Sequence, residues 1–80
     1  MHEIGIAAEI LRIVEATAQQ VGFHTVTRIK VVIGDLRLVK PDSLIFAFTC
    51  IRDQSCAETA ILEIESNSGR DLFVDFLEGE

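Results

Sequence analysis

Apolar residues recur every three or four positions over the first quarter of the chain. Ala7, Ile10, Leu11, Val14, Ala18 and Val21 share one side of a helical wheel, while Glu9, Arg12, Glu15 and Gln19 fall elsewhere. The spacing predicts an amphipathic helix over 4–21, and Gly22 just past its last apolar position is a stop signal. Over 25–33 the period changes to two. Thr27, Ile29, Val31 and Ile33 then share a predicted strand face, with Arg28 and Lys30 on the other, and Gly34-Asp35 ends the strand. Pro41 suits the first position of a second helix, where its missing N–H costs nothing. Leu44, Ala47, Phe48 and Ile51 form the buried stripe of that helix, with Ile45 beside it, before a polar break at Arg52-Asp53-Gln54-Ser55.

Two further alternating runs follow. Ala60, Leu62 and Ile64 alternate with Ile61, Glu63 and Glu65; Leu72, Val74 and Phe76 alternate with Phe73, Asp75 and Leu77. Ser66-Asn67-Ser68-Gly69 between them reads as a hairpin turn, which would set the last strand beside its predecessor. The order helix, strand, helix, strand, strand implies a two-layer α+β domain, with two helices packed on one face of a three-stranded sheet. A short hinge of this kind also allows the last strand to be exchanged between two chains, so a monomer or a strand-swapped dimer is expected. There is no internal repeat or low-complexity stretch, and residues 1–80 read as a single domain.

Composition narrows the function. Of 80 residues, 49% are apolar, enough for a core that forms without metal, and the net charge of −6 disfavours nucleic-acid binding through phosphates. No apolar run reaches membrane-spanning length and the start lacks a signal-peptide pattern, so a cytoplasmic protein with reduced cysteines is expected. No phosphate loop, nucleotide fingerprint or Ser/His/Asp order is present, and an enzyme is not expected. The carboxylate pairs Glu63/Glu65 and Asp71/Asp75 read as solvated faces. Cys50 and Cys56 lack the Cys-x₂-Cys spacing of structural zinc, and Cys50, near the end of the second helix, reads as a small buried hydrophobe. His24 reads as a surface residue.

The chemistry concentrates at the opening, Met1-His2-Glu3. There an α-amine, an imidazole and neighbouring backbone amide nitrogens can turn toward one ion, an all-nitrogen set that suits Ni(II) or Cu(II). These groups must lose protons to bind, so the site weakens as pH falls.

The chain resembles the nickel-binding domain of the HypA/HybF family. The likeness is carried by Met1-His2-Glu3-Ile4, Val26-Thr27-Arg28-Ile29, Ile33-Gly34-Asp35-Leu36, the run from Pro41 to Phe48, the run from Ala57 to Glu65, and Ser68-Gly69-Arg70-Asp71-Leu72-Phe73-Val74. These blocks are individually weak, but their order and spacing are specific. Members of that family are nickel metallochaperones for maturation of nickel–iron hydrogenase and, in some organisms, urease. The resemblance implies Ni(II) bound by the Met1 amine, the His2 side chain and backbone nitrogen, and the Glu3 amide. The Glu3 carboxylate more simply favours the start of the first helix. It further implies delivery by protein contact, with a maturation GTPase of the same pathway and the hydrogenase large subunit as partners, through the terminus and first helix. One departure stands out. The family carries a zinc module with two Cys-x-x-Cys pairs between its last two strands, whereas Glu65 here reaches the final strand after only Ser66-Asn67-Ser68-Gly69, so no zinc is expected. A metal-independent interaction module derived from that fold is the alternative reading.

Overall fold

The computed structural model describes residues 3–80. Helix α1 (Glu3–Val21) leads into strand β1 (Val26–Gly34), a single 3₁₀ turn at Asp35–Arg37, helix α2 (Pro41–Ile51), and strands β2 (Ile61–Asn67) and β3 (Leu72–Gly79). The α+β class and the element order agree with the sequence pattern. Ala7, Ile10, Val14 and Ala18 of α1 are buried, with Leu11 packed against them. Val21 departs from the predicted stripe and is 58% exposed. The helix closes just after it: Gly22 takes φ +86°, the Gly22 and Phe23 N–H groups both donate to the Ala18 carbonyl, and Phe23 packs against the core instead.

Pro41 begins α2 as expected, and Leu44, Ala47 and Phe48 turn into the same buried cluster as α1 and the sheet. Fully burying a side chain the size of Phe48, Ile10 or Leu44 is worth about 1.5–3 kcal/mol. The polar break after α2 is an ordered turn. Arg52 Nη1 donates to the Ala60 carbonyl at 2.5 Å, and the Ser55 hydroxyl donates to the Arg52 carbonyl while accepting from the Ala57 N–H.

The sheet corrects the hairpin expectation. Strand order is β2-β1-β3, with β1 in the centre, parallel to β2 and antiparallel to β3. The last two strands run in opposite directions, as a short link requires, but β1 lies between them. The link over 68–71 crosses the end of β1, and β1 has a glycine there. A Cβ on Gly34 would run into the Gly69 carbonyl group and lie 2.6 Å from the Arg70 nitrogen. Hydrogen bonds fix the crossing: Gly34 N–H to Asp71 O at 2.7 Å, Leu36 N–H to Gly69 O at 2.9 Å, Arg37 Nε to Arg70 O at 2.7 Å, and Gly69 N–H to Asp35 Oδ1 at 3.3 Å.

Two register shifts between β1 and β3 also move side chains from their predicted faces. Between Val26 and Arg28, β1 advances two residues while β3 advances one, so Val26 is buried and Thr27, expected inside, is exposed with its hydroxyl donating to Glu78 O. Between Lys30 and Val31, β3 passes from Phe76 to Val74. Leu77, opposite Ile29, therefore packs on the core, and Phe76, expected to share a face with Leu72 and Val74, lies beneath Arg28 with 5.0 Å from guanidinium carbon to ring centroid.

Candidate metal centre

Met1 and His2, the first two of the three predicted ligands, lie outside the described residues; the third, Glu3, opens α1. An acidic side chain in the first turn complements the positive end of the helix dipole, the structural role expected of its carboxylate. The third ligand position is thus attached directly to a 19-residue helix.

Where that helix begins follows from the packing. The later part of α1 lies along β3, with Ile13, Thr17, Val21 and Phe23 sharing a cleft with Val74 to Leu77. A loop over 22–25 then returns the chain antiparallel along β1. The start of α1 accordingly projects toward the end of the sheet where β1 finishes and the β2–β3 link crosses it. The first turns of α2 are there as well: Glu3 and Ile4 share a groove of about 440 Å³ with Asp42, Ser43, Phe46 and Ala47. Sequence reasoning did not single out this groove. Its visible signal was an aromatic, Phe46, beside the buried stripe of α2 rather than on it.

The other metal-ligating types are dispersed. Among the described residues, no group of three or more His, Cys, Asp or Glu side chains is gathered as a metal site. His24 is exposed, as expected. Cys50, expected inside, is exposed, because it falls on the outward side of α2 opposite Leu44, Ala47 and Phe48. Cys56 is half-buried, and burial pushes its thiol pKa up, with the Glu15 carboxylate adding to the rise. That environment opposes the thiolate a metal or an electrophile would need.

The carboxylates of β2 are not merely solvated. Arg28 clamps Glu63 through Nε at 2.7 Å and Nη2 at 2.9 Å, and reaches Glu78 through Nη1 at 3.0 Å; Lys30 meets Glu65 at 2.6 Å. The Arg28 hydrogen bonds hold the Glu63 carboxyl below its ordinary range. Cations on the central strand between carboxylates on both neighbours make this open face a cross-strand ion ladder, a stabilising arrangement with no catalytic geometry.

Comparison with known proteins agrees with this architecture. A sequence model of the family described as hydrogenase/urease nickel incorporation, metallochaperone, HypA, matches residues 1–71. The chain is similar to the hydrogenase maturation factor HypA of Moorella thermoacetica, 39% identical over 70 residues, covering 88% of this chain and 62% of that protein. It is also similar to HypA of Paracoccus denitrificans, 38% identical over 78 residues, covering 98% of this chain and 69% of that protein. It therefore spans less than two thirds of the length of the Moorella protein. In structure it matches the solution structure of the Ni metallochaperone HypA from Helicobacter pylori with a TM-score of 0.76 at 23% identity, covering 95% of this chain and 72% of that one; at that identity the likeness speaks for the fold.

Proposed function

The chain belongs to the HypA family of nickel metallochaperones, which are not enzymes, and from that premise we propose that it binds Ni(II) at its N-terminus and delivers it by protein contact. The Met1 amine, the His2 imidazole and backbone nitrogen, and the Glu3 amide are the donors. The observation that carries the reading is that α1 begins at Glu3, next to His2, so a chelate built on the chain start is anchored to the domain through one rigid helix. Such a chelate can release its ion one ligand at a time, which suits handover.

The recipients we assign are the maturation GTPase of the same pathway and the large subunit of nickel–iron hydrogenase, with urease as a further nickel enzyme served. Residues 1–80 act as a single nickel-binding domain in the cytoplasm, as a monomer or a strand-swapped dimer. Among the described residues, no helix is long and apolar enough to cross a membrane. The zinc module falls away between Glu65 and Gly69, and no zinc is bound. The tight crossing over Gly34 supports this reading, since it closes the sheet with a four-residue link. The metal-independent interaction module is a second reading, favoured by the exposed apolar groove beside the start of α1.

Nickel titration of the chain with a free N-terminus decides between them. One Ni(II) per chain is expected, with the yellow, diamagnetic spectrum of a planar nitrogen set. His2→Ala or one residue added before Met1 abolishes binding, and Glu3→Ala largely spares it. Equal nickel affinity in wild type and His2→Ala would leave the interaction module standing.

A further inference from the structure

Leu38 is held in a backbone conformation that leucine disfavours, and its side chain is left in water. It closes the 3₁₀ turn in the left-handed region, at φ 56° and ψ 36°. Among the described non-glycine residues, only Leu38 and Gln54 have a positive φ. There the Cβ crowds the following carbonyl, a strain that Gly avoids and that Asn or Asp can offset with local hydrogen bonds. Leucine does neither. The core does not compensate it, because Leu38 is 84% exposed while Val39, the next residue, packs inward. A strained position that displays an apolar side chain to water points to a role outside the fold.

The turn presents its side chains from a fixed backbone. Leu36, itself 56% exposed, donates its N–H to the Gly69 carbonyl at 2.9 Å, and the Leu38 N–H donates to the Asp35 carbonyl at 3.2 Å. Arg37 Nε donates to the Arg70 carbonyl at 2.7 Å, so the turn is tied to the 68–71 link. Charge then selects the occupant. Of the seven basic residues, Arg12, Arg28, Lys30 and Arg52 are engaged by Glu9, Glu63, Glu65 and the Ala60 carbonyl. The other three, Arg37, Lys40 and Arg70, are all exposed on this turn, the residues leading from it into α2, and the link. The four ion pairs among the described residues include none of them. The nearby Asp35 and Asp71 carboxylates accept hydrogen bonds within the same structure, from the Gly69 N–H and the Asn67 side-chain amide.

We infer that the 35–40 turn docks an acidic amphipathic segment of a partner protein, which packs apolar side chains on Leu36 and Leu38 and sets Asp or Glu opposite Arg37, Lys40 and Arg70. Cations beside exposed leucines complement such a segment. An anionic membrane also carries negative charge, but its whole surface repels a chain of net charge −6. A second copy meeting this one across a two-fold axis would bring the same three cations against themselves. The surface offers two leucines, so the contact is small and short-lived, as transient encounters are. It goes beyond the nickel-carrier reading and does not depend on it.

The test uses the isotope-labelled chain and a short helical peptide that carries Leu at helical spacing flanked by Glu. Amide shifts are expected at Leu36, Leu38, Lys40 and Arg70, weakening with salt, and none are expected with the peptide whose glutamates are replaced by Lys. Leu38→Asn removes the anchor and eases the left-handed strain together. It should weaken binding about tenfold or more, as loss of a central anchor does, with a urea midpoint unchanged or higher. Lys40→Glu should also weaken binding and flatten its salt dependence. Shifts absent or confined to another surface, equal shifts with the Lys peptide, or wild-type affinity in Leu38→Asn would overturn the docking turn. A clearly lower urea midpoint in Leu38→Asn would assign the leucine to the fold and overturn it as well. A concentration-dependent dimer of the free chain that Leu38→Asn dissolves would overturn the occupant in favour of a second copy.

Discussion

The β2–β3 crossing and the α1–α2 groove share one end of the sheet and are built in opposite ways. At the crossing, backbone meets backbone: Gly34 has no room for a side chain, and the link is held by Gly34, Leu36 and Gly69 N–H groups and the Arg37 guanidinium. At the groove, side chains meet solvent: Ile4 and Phe46 stand open, and nothing among the described residues covers them. The first arrangement has stability as its product, and its residues have little freedom to change. The second leaves apolar area outside the core, which contributes little to folding and is available to a partner. Neighbouring regions of one small domain can thus be separated into fold and interface by asking whether their contacts are satisfied internally.

Outside the buried core, the largest expected effect comes from breaking the crossing. Gly34→Ala places a methyl group against the Gly69 carbonyl and the Arg70 nitrogen, both backbone atoms of a hydrogen-bonded link. No flexible side chain is there to yield. Overpacking of that kind should cost about 3 kcal/mol, read as a lower urea midpoint with unchanged slope. Wild-type stability in Gly34→Ala would show that the link slides freely over β1, and the contrast with the groove would collapse.

Which parts of this end were legible in the sequence follows from what periodicity encodes. The helices and strands were visible because apolar residues fell at periods of 3.6 and 2, and Gly22 and Pro41 marked a stop and a start. Alternation reports which face a strand buries, not which strand lies beside it. Four link residues reach about 13 Å, more than the roughly 9.6 Å that separates strands on either side of a third, so a hairpin and a crossing were both sterically open. The shifts at Thr27 and Asp75 were invisible for a related reason: one extra residue exchanges the faces of everything beyond it. The nitrogen donors of Met1-His2-Glu3 were legible because they are adjacent in sequence. The groove was not, because Ile4 and Phe46 come from different helices and meet only in the fold.

The ion ladder along β1 gives a smaller effect, and one that depends on pH. Arg28 lowers the Glu63 pKa in the folded chain below its ordinary value of 4.5. The folded state therefore binds fewer protons at this group than the unfolded state does through that range. Its contribution is complete above about pH 4.5 and is lost as pH falls through the lowered folded value. Both side chains are more than a third exposed, so the pair is well screened. Thermal unfolding followed from pH 7 to pH 3 should show a shallower acid loss in Glu63→Gln than in wild type. Identical acid profiles would mean that the clamp contributes nothing in solution.

Glycine at the other side of the comparison should respond with the opposite sign to Gly34. Gly5 lies in the first turns of α1, and a Cβ there would meet nothing within 4 Å. Ala replaces a flexible residue by the best helix former without a clash, so Gly5→Ala should stabilise by about 0.5–1 kcal/mol. Its nickel stoichiometry should be unchanged. A loss of stability in Gly5→Ala would mean that the start of α1 is already packed against something, and the description of this region as open would fail.

The smallest effect is expected at Phe46, and that near-silence is what sharpens the comparison. Phe46 and Phe48 are two positions apart on one helix, at 71% and 1% exposure. Phe48→Ala opens a cavity in the core and should cost about 3–5 kcal/mol. Phe46→Ser removes a ring that is mostly in water already, so the change should stay within about 0.5 kcal/mol, the range of ordinary surface substitutions. The two variants measured side by side in urea separate burial from residue type. If Phe46→Ser destabilises the isolated chain as strongly as Phe48→Ala does, the ring serves the fold and cannot be an anchor held in reserve. If it is silent in unfolding, the exposed ring contributes nothing to the fold that its buried neighbour two positions on does.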